Sequence, residues 1–225
     1  MIPWGCLPLI LFLLLLILLP FAFGHLFTAA LIKLNLEPKT ALLLVLAIFA
    51  GSAFNIPLKR IARTETVVVD PFAVFGFSGW WPRLRRVRRE TVIAVNVGGC
   101  IVPVGLAAYE TASLLLEGSQ SVSALLLATA MNTAVCYWLA KPMEGIGIAL
   151  PGFVPPFVAA IGALMLAPEQ ATPVAFVAGV LGPLIGADLL HLRDVERIAT
   201  GMASIGGAGT FDGIVLSGIV AAYLA

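Results

Sequence analysis

The sequence predicts an all-α polytopic membrane protein with about seven transmembrane helices and a small cytoplasmic β-hairpin between the second and third. Three observations predict it. Hydrophobic residues make up 60% of the 225 residues and charged residues only 11%, against about 25% charged in ordinary soluble domains. Mean hydropathy is +1.06. The apolar residues gather into segments of roughly the 17–25 residues that a 30 Å hydrocarbon core requires. Charges are segregated between those segments, so the net charge of +1 says little about partners. One transmembrane domain spanning residues 1–225 is expected, in contact with the lipid bilayer.

The first span covers about residues 7–23, almost pure Leu, Ile and Phe. A cleaved signal peptide is the rival reading, because Ala22-Phe23-Gly24 resembles a small-x-small site. The missing Lys/Arg n-region favours a retained span. The second covers 40–58 and the third 91–111, separated by a polar, Arg-rich loop at 59–90. The fourth covers 121–140, the fifth 151–167, the sixth 173–192 and the seventh 203–225. In the loop, residues 64–70 (TETVVVD) are β-rich, Asp70-Pro71 is a turn signal and residues 72–77 form a second apolar run. A hairpin at the cytoplasmic rim follows, with Trp80 and Trp81 at the interface.

Lys59, Arg60, Arg63, Arg83, Arg85, Arg86, Arg88 and Arg89 share that loop, which the positive-inside rule places in the cytoplasm. The N-terminus is then cytoplasmic and the protein belongs in the inner (cytoplasmic) membrane. Lys141, Arg193 and Arg197 fall on the same side, while Lys33 and Lys39 dissent. The arginines from Arg83 to Arg89 either fix topology alone or also bind anionic lipid. Nucleic-acid binding is not expected of so short a segment.

Polar residues inside the spans carry the functional signal. Asp188 lies in GVLGPLIGADLLHL and Asp212 in GGAGTFDGIVLSGIVAAYLA. A carboxylate at the bilayer centre costs roughly 2.5–3.5 kcal/mol on insertion scales, so each aspartate is a functional hypothesis by default. Asn55, Asn96 and Asn132 also lie in spans, two of them beside helix breakers: Asn55-Ile56-Pro57 and Asn96-Val97-Gly98-Gly99. Interhelical hydrogen bonds are the bland reading of the asparagines. The pairs Gly182/Gly186 and Gly209/Gly213 have the four-residue spacing that lets helices approach. Close approach would bring both aspartates within reach of one water, and two such acids share a proton. The ionised partner is then a general base on water and the protonated one polarises a carbonyl. Asp188 and Asp212 are therefore the catalytic candidates, with Asn55, Asn96, Thr210, Gly207 and Gly209 as candidates for binding or orienting substrate. The alternative for Asp188 is a rim pairing with His191 or Arg193.

The segments GSAFNIPL, VNVGGCIVPVG, KPMEGIGIALPG and GGAGTFDGIVLSG resemble an uncharacterised prokaryotic family of multi-pass membrane proteins, domain of unknown function sixteen-fourteen. That likeness implies no activity. Asp188 in a sixth span and Asp212 in a seventh, joined by a cytoplasmic loop, resemble the intramembrane aspartyl proteases of the presenilin and signal-peptide-peptidase type. This second likeness implies hydrolysis of transmembrane peptide substrates by Asp188 and Asp212. In those proteases Gly-x-Gly directly precedes the second aspartate; here Thr210-Phe211 separates Gly207-Ala208-Gly209 from Asp212.

A proton- or cation-coupled small-molecule transporter would use the same aspartates and the broken helices as its substrate cradle. A non-catalytic membrane scaffold would need neither acid. Cys6, Cys100 and Cys136 lie in apolar segments without CxxC spacing and read as buried thiols; with only His25 and His191 besides, no metal site or cofactor is expected. HExxH, GxSxG and GxxxxGK[ST] are all absent.

Overall fold

The computed structural model describes residues 7–69, 83–143, 147–195 and 201–225. Helices dominate. α1 (Leu7–Lys33) and α2 (Pro38–Gly51) are joined by a short turn in which Asn35 takes a positive φ of 59°, a conformation Asn tolerates better than most residues. Pro38 opens α2, where its fixed φ suits the first helical turn and its missing N–H leaves no bond unmade. α2 stops at Gly51, and β1 (Asn55–Val69) begins four residues later. β1 runs antiparallel to β2 (Arg83–Asn96), paired from Asn55↔Asn96 to Val69↔Arg83. The register shifts between Pro57 and Lys59, where proline has no N–H to give the ladder.

A π-turn (Val97–Ile101) leads into α3 (Val102–Glu117), followed by α4 (Ser119–Leu139). The short pair β3 (Lys141–Met143) and β4 (Gly147–Ala149) precedes α5 (Val154–Leu166). α6 (Ala171–Pro183) runs into a second π-turn (Leu184–Leu189) and the single turn α7 (Leu192–Val195). β5 (Met202–Ile205) then pairs parallel with β2, so that the sheet has the order β1-β2-β5. A 3₁₀ turn (Gly209–Phe211) delivers the chain to α8 (Gly213–Leu224).

Three stretches are long and apolar enough to cross a bilayer: Val97–Leu116, Gln120–Leu139 and Pro168–Asp194. Shorter apolar helices accompany them at Phe21–Lys33, Pro38–Gly51, Val154–Leu166 and Gly213–Leu224. The chain is a multi-pass membrane protein.

α6 is the central helix. Every residue from Val174 to Val180 is buried, with α3, α4, α5 and α8 packed around it. Small residues let the neighbours close in. A Cβ on Gly179 would meet the Ser217 carbonyl oxygen at 2.7 Å and the Gly218 Cα at 2.9 Å, so α6 and α8 touch backbone to backbone. Asn132 of α4 is fully buried and donates from Nδ2 to the Ala178 carbonyl at 2.8 Å, an interhelical bond of the bland kind expected of it. Gly179→Ala is expected to destabilise the protein by about 1–3 kcal/mol through overpacking, read by unfolding in detergent. Gly105→Ala on α3, with open space around it, should be neutral or slightly stabilising.

The structure corrects three expectations. Residues 52–58 and 91–96 are not helical: β1 and β2 take over the ends of the second and third expected spans. The hairpin is accordingly longer than expected. Its expected turn at Asp70-Pro71, the run at 72–77 and Trp80 and Trp81 lie outside the described residues. The seventh span begins as β5 and a turn, so Asp212 stands at the start of α8 rather than nine residues inside a helix. Lastly, the pairs Gly182/Gly186 and Gly209/Gly213 do not join the last two helices. Gly182 faces Asn132, Gly186 faces the Thr133 carbonyl, and Gly209 faces Ser52.

Candidate functional site

Pro183 ends the regular part of α6, and the wider turn that follows carries Asp188. Such single π-turns free carbonyls from the i→i−4 ladder and occur often at functional sites. Here Leu190 N–H reaches back to Ile185 O at 3.0 Å, and His191 Nδ1 lies 3.0 Å from Gly186 O and 3.1 Å from Ala187 O. Both neighbours are carbonyl acceptors, so Nδ1 must carry the proton. His191 thus holds the turn beside Asp188, and its ring lies against Tyr137, 4.8 Å between centroids.

Asp212 caps α8. Its Oδ1 accepts from Ile214 N–H at 3.0 Å and its Oδ2 from Ala208 N–H at 3.2 Å. The loop before it bends at Gly206 and Gly209, with φ of 70° and 62°, where only glycine is at ease. The Gly206 amide faces the Asp188 carboxylate, so one loop serves both acids.

A polar lattice, buried at Asn96 and Thr210 and open at Asn55, supports that loop. Asn96 is fully buried at the end of β2. Its Oδ1 accepts from Gly99 N–H at 2.7 Å; its Nδ2 donates to Ser52 O at 2.8 Å and to Asn55 Oδ1 at 3.1 Å. Ser204 Oγ of β5 also donates to Asn55 Oδ1, at 2.6 Å. Ser52 Oγ and Thr210 Oγ1 lie 2.9 Å apart, linking the end of α2 to the Asp212 loop. Asn96→Ala removes three bonds and strands the buried Gly99 amide, so a loss of about 1–3 kcal/mol or more is expected, again read by unfolding in detergent.

Asp188 and Asp212 open onto one cavity of about 490 Å³, near enough for their charges to interact. Asn55, Gly206 and Gly207 share its polar wall; Ile93, Ile148, Leu192 and Met202 supply apolar surface. β5 forms another side. Val92 N–H donates to Gly201 O, and successive residues of a strand point alternately to its two sides. The backbone groups of Met202 and Ser204 therefore point away from β2; the Ser204 carbonyl accepts from Gly207 N–H at 2.9 Å, and among the described residues β5 has no second strand neighbour.

Of the residues singled out in the sequence, Asp188, Asp212, Asn55 and Gly207 meet at this cavity. Asn96, Thr210 and Gly209 are buried behind it and brace it. Ser204, Gly206 and Ser52 complete the site without being among its candidates in the sequence; the Gly206-Gly207 pair, with Gly98-Gly99, is the available signal of close backbone contact. Cys100 and Cys136 are buried free thiols. Among the described residues no three His, Cys, Asp or Glu side chains cluster.

A family model described as a protein of unknown function (DUF1614) matches residues 49–224, which takes in every residue of the cavity. No curated protein and no solved structure matches the chain. The likeness to presenilin-type proteases thus rests on the placing of two aspartates alone.

Proposed function

The chain belongs to the DUF1614 family of proteins of unknown function, and from the chemistry of its cavity we propose that it hydrolyses peptide bonds within the membrane, using Asp188 and Asp212 as an aspartate pair. One observation carries this reading: a single cavity holds both carboxylates and the outward edge of β5. A peptide bond must be unfolded and hydrogen-bonded before it can be cut, and a strand edge supplies main-chain partners for an extended chain. The peptide lies along the Met202 backbone and the Ser204 N–H. Sharing one proton, the pair activates a water that attacks the scissile carbonyl carbon, while the protonated acid donates to the carbonyl oxygen. Collapse of the tetrahedral species passes a proton to the amine and breaks the C–N bond, without a covalent intermediate.

Seven spans with a cytoplasmic N-terminus, in the inner membrane, put the β1–β2 hairpin and the cavity at the cytoplasmic end. Substrates would be cut in their cytoplasmic third, and the basic run on β2 would contact anionic headgroups. The test is a panel of single-span reporter proteins expressed with wild type, Asp188→Asn or Asp212→Asn, with cut sites mapped by mass spectrometry. Cleavage lost in both folded variants supports the pair; a wild type that cuts nothing in a broad panel removes it.

A second reading, ion-coupled transport, draws on the same place. The helix ladder is interrupted at Val97–Ile101 and at Leu184–Leu189, and both interruptions lie close to the acids. Transporters bind substrates at such breaks. Proton-driven uptake into vesicles, abolished by either asparagine variant, would favour it over hydrolysis.

A further inference from the structure

The Asn96 amide has only one possible orientation. Its oxygen faces Gly99 N–H, which can only donate, and its nitrogen faces Ser52 C=O, which can only accept. Its Nδ2 is therefore the donor to Asn55, and the atom it meets there must be Oδ1. Ser204 Oγ adds a second donor to the same oxygen. With Oδ1 held by two donors inside the lattice, the Asn55 NH₂ group is turned out of it, and Asn55 lines the cavity that holds both aspartates. Among the described residues nothing accepts from that NH₂.

We infer that Asn55 Nδ2 is a fixed hydrogen-bond donor for the substrate's scissile carbonyl oxygen, meeting the negative charge that grows there until the protonated aspartate delivers its proton, while the ionised aspartate takes the proton of the attacking water. This rests on the hydrolase reading. Water attacks the carbonyl carbon, the C=O π electrons move onto oxygen, and Asn55 N–H meets the charge that develops there. A donor fixed beforehand serves this purpose because it needs no reorganisation as the charge appears. Asn96 and the Ser204 hydroxyl are positioning groups: neither acts on the scissile bond, and together they prevent the Asn55 amide from turning over and presenting its oxygen. The same lock disfavours a cation at this wall, since the atom offered is a donor.

The experiment uses the full-length protein in detergent and two substitutions. Asn55→Asp keeps an acceptor for Asn96 and Ser204 while replacing the NH₂ with oxygen; Asn55→Ala removes the side chain. Both are expected to lower kcat by about 10²–10³-fold, the usual effect of deleting one oxyanion donor, with KM changed only a few-fold. A second readout needs no turnover: a peptide with a ¹³C-labelled ketone at the scissile position, bound to the enzyme, observed by infrared difference spectroscopy. Its carbonyl stretch should fall to lower frequency in wild type and lose that shift in Asn55→Asp. Wild-type kcat in both variants, or an unchanged carbonyl stretch, overturns the role of Asn55 while leaving the aspartate pair standing. If wild type neither cuts peptides nor binds the ketone, the hydrolase reading and this role fall together.

Discussion

Asparagine at either aspartate is expected to lower peptide cleavage by about 10²–10⁴-fold, the range that one general acid or base contributes. These substitutions are informative because they leave the fold most of its bonds. At position 212 an asparagine oxygen can still accept from Ile214 N–H, as Asp212 Oδ1 does, and asparagine caps helices about as well as aspartate. At position 188 the amide oxygen can still face the Gly206 N–H. The shared proton is lost, and at position 212 the acceptor for Ala208 N–H goes with it, since an amide NH₂ cannot accept. Asp212→Ala is a useful contrast, since it removes the cap as well and should cost about 0.5–2 kcal/mol of stability on top of activity. The double asparagine variant should be scarcely worse than either single one, because residues acting on one proton form a unit whose losses do not add. Full activity in either folded asparagine variant would end the two-aspartate mechanism. Cleavage rates on a purified reporter and unfolding curves in the same detergent check both halves of this expectation.

The two acids were legible in the sequence because they break a strong rule: charge does not belong in an apolar run. Their setting was not legible, for a definite reason. Hydropathy reports whether a segment avoids water, not whether its backbone bonds along a helix or across a sheet. Residues 91–96 (TVIAVN) and 202–205 (MASI) are apolar enough to pass as span ends, yet they lie side by side as β2 and β5. Asn55-Ile56-Pro57 carried a visible warning, since proline close to a span end argues against a continuing helix, and β1 starts there. The helices with regular interiors, α4 and α5, fell close to where length and composition put them. The lattice around Asn96 joins residues up to 158 positions apart, Ser52 with Thr210, and spacing along one chain gives no sign of such pairs. Asn96 was singled out for a polar side chain beside a Gly-Gly break; its part in orienting Asn55 needed coordinates.

Gly206→Ala is expected to dismantle the site while leaving the helices assembled. Gly206 has a φ of 70°, so a Cβ there brings the left-handed penalty of roughly 1–2 kcal/mol that only glycine escapes. Space is a separate obstacle. The new Cβ would lie 2.6 Å from the Gly99 carbonyl carbon and 2.8 Å from Cys100 N, both backbone atoms in a turn pinned by Asn96. Neither can swing aside as a side-chain tip would, and overpacking of this kind costs about 1–3 kcal/mol. Together the two effects amount to about 2–5 kcal/mol. The strain falls on the loop that faces Asp188 with one amide and holds Asp212 Oδ2 with another two residues on. The loop is the cheapest part to release, because α8 below Asp212 is held separately by the Gly179–Ser217 contact with α6. Helix content by circular dichroism should therefore stay near wild type while cleavage is lost. Gly213→Ala, seven residues on with open space around it, should keep both. Wild-type cleavage in Gly206→Ala would mean that the crossing of the Gly99 and Gly206 backbones does not set the geometry of the acids.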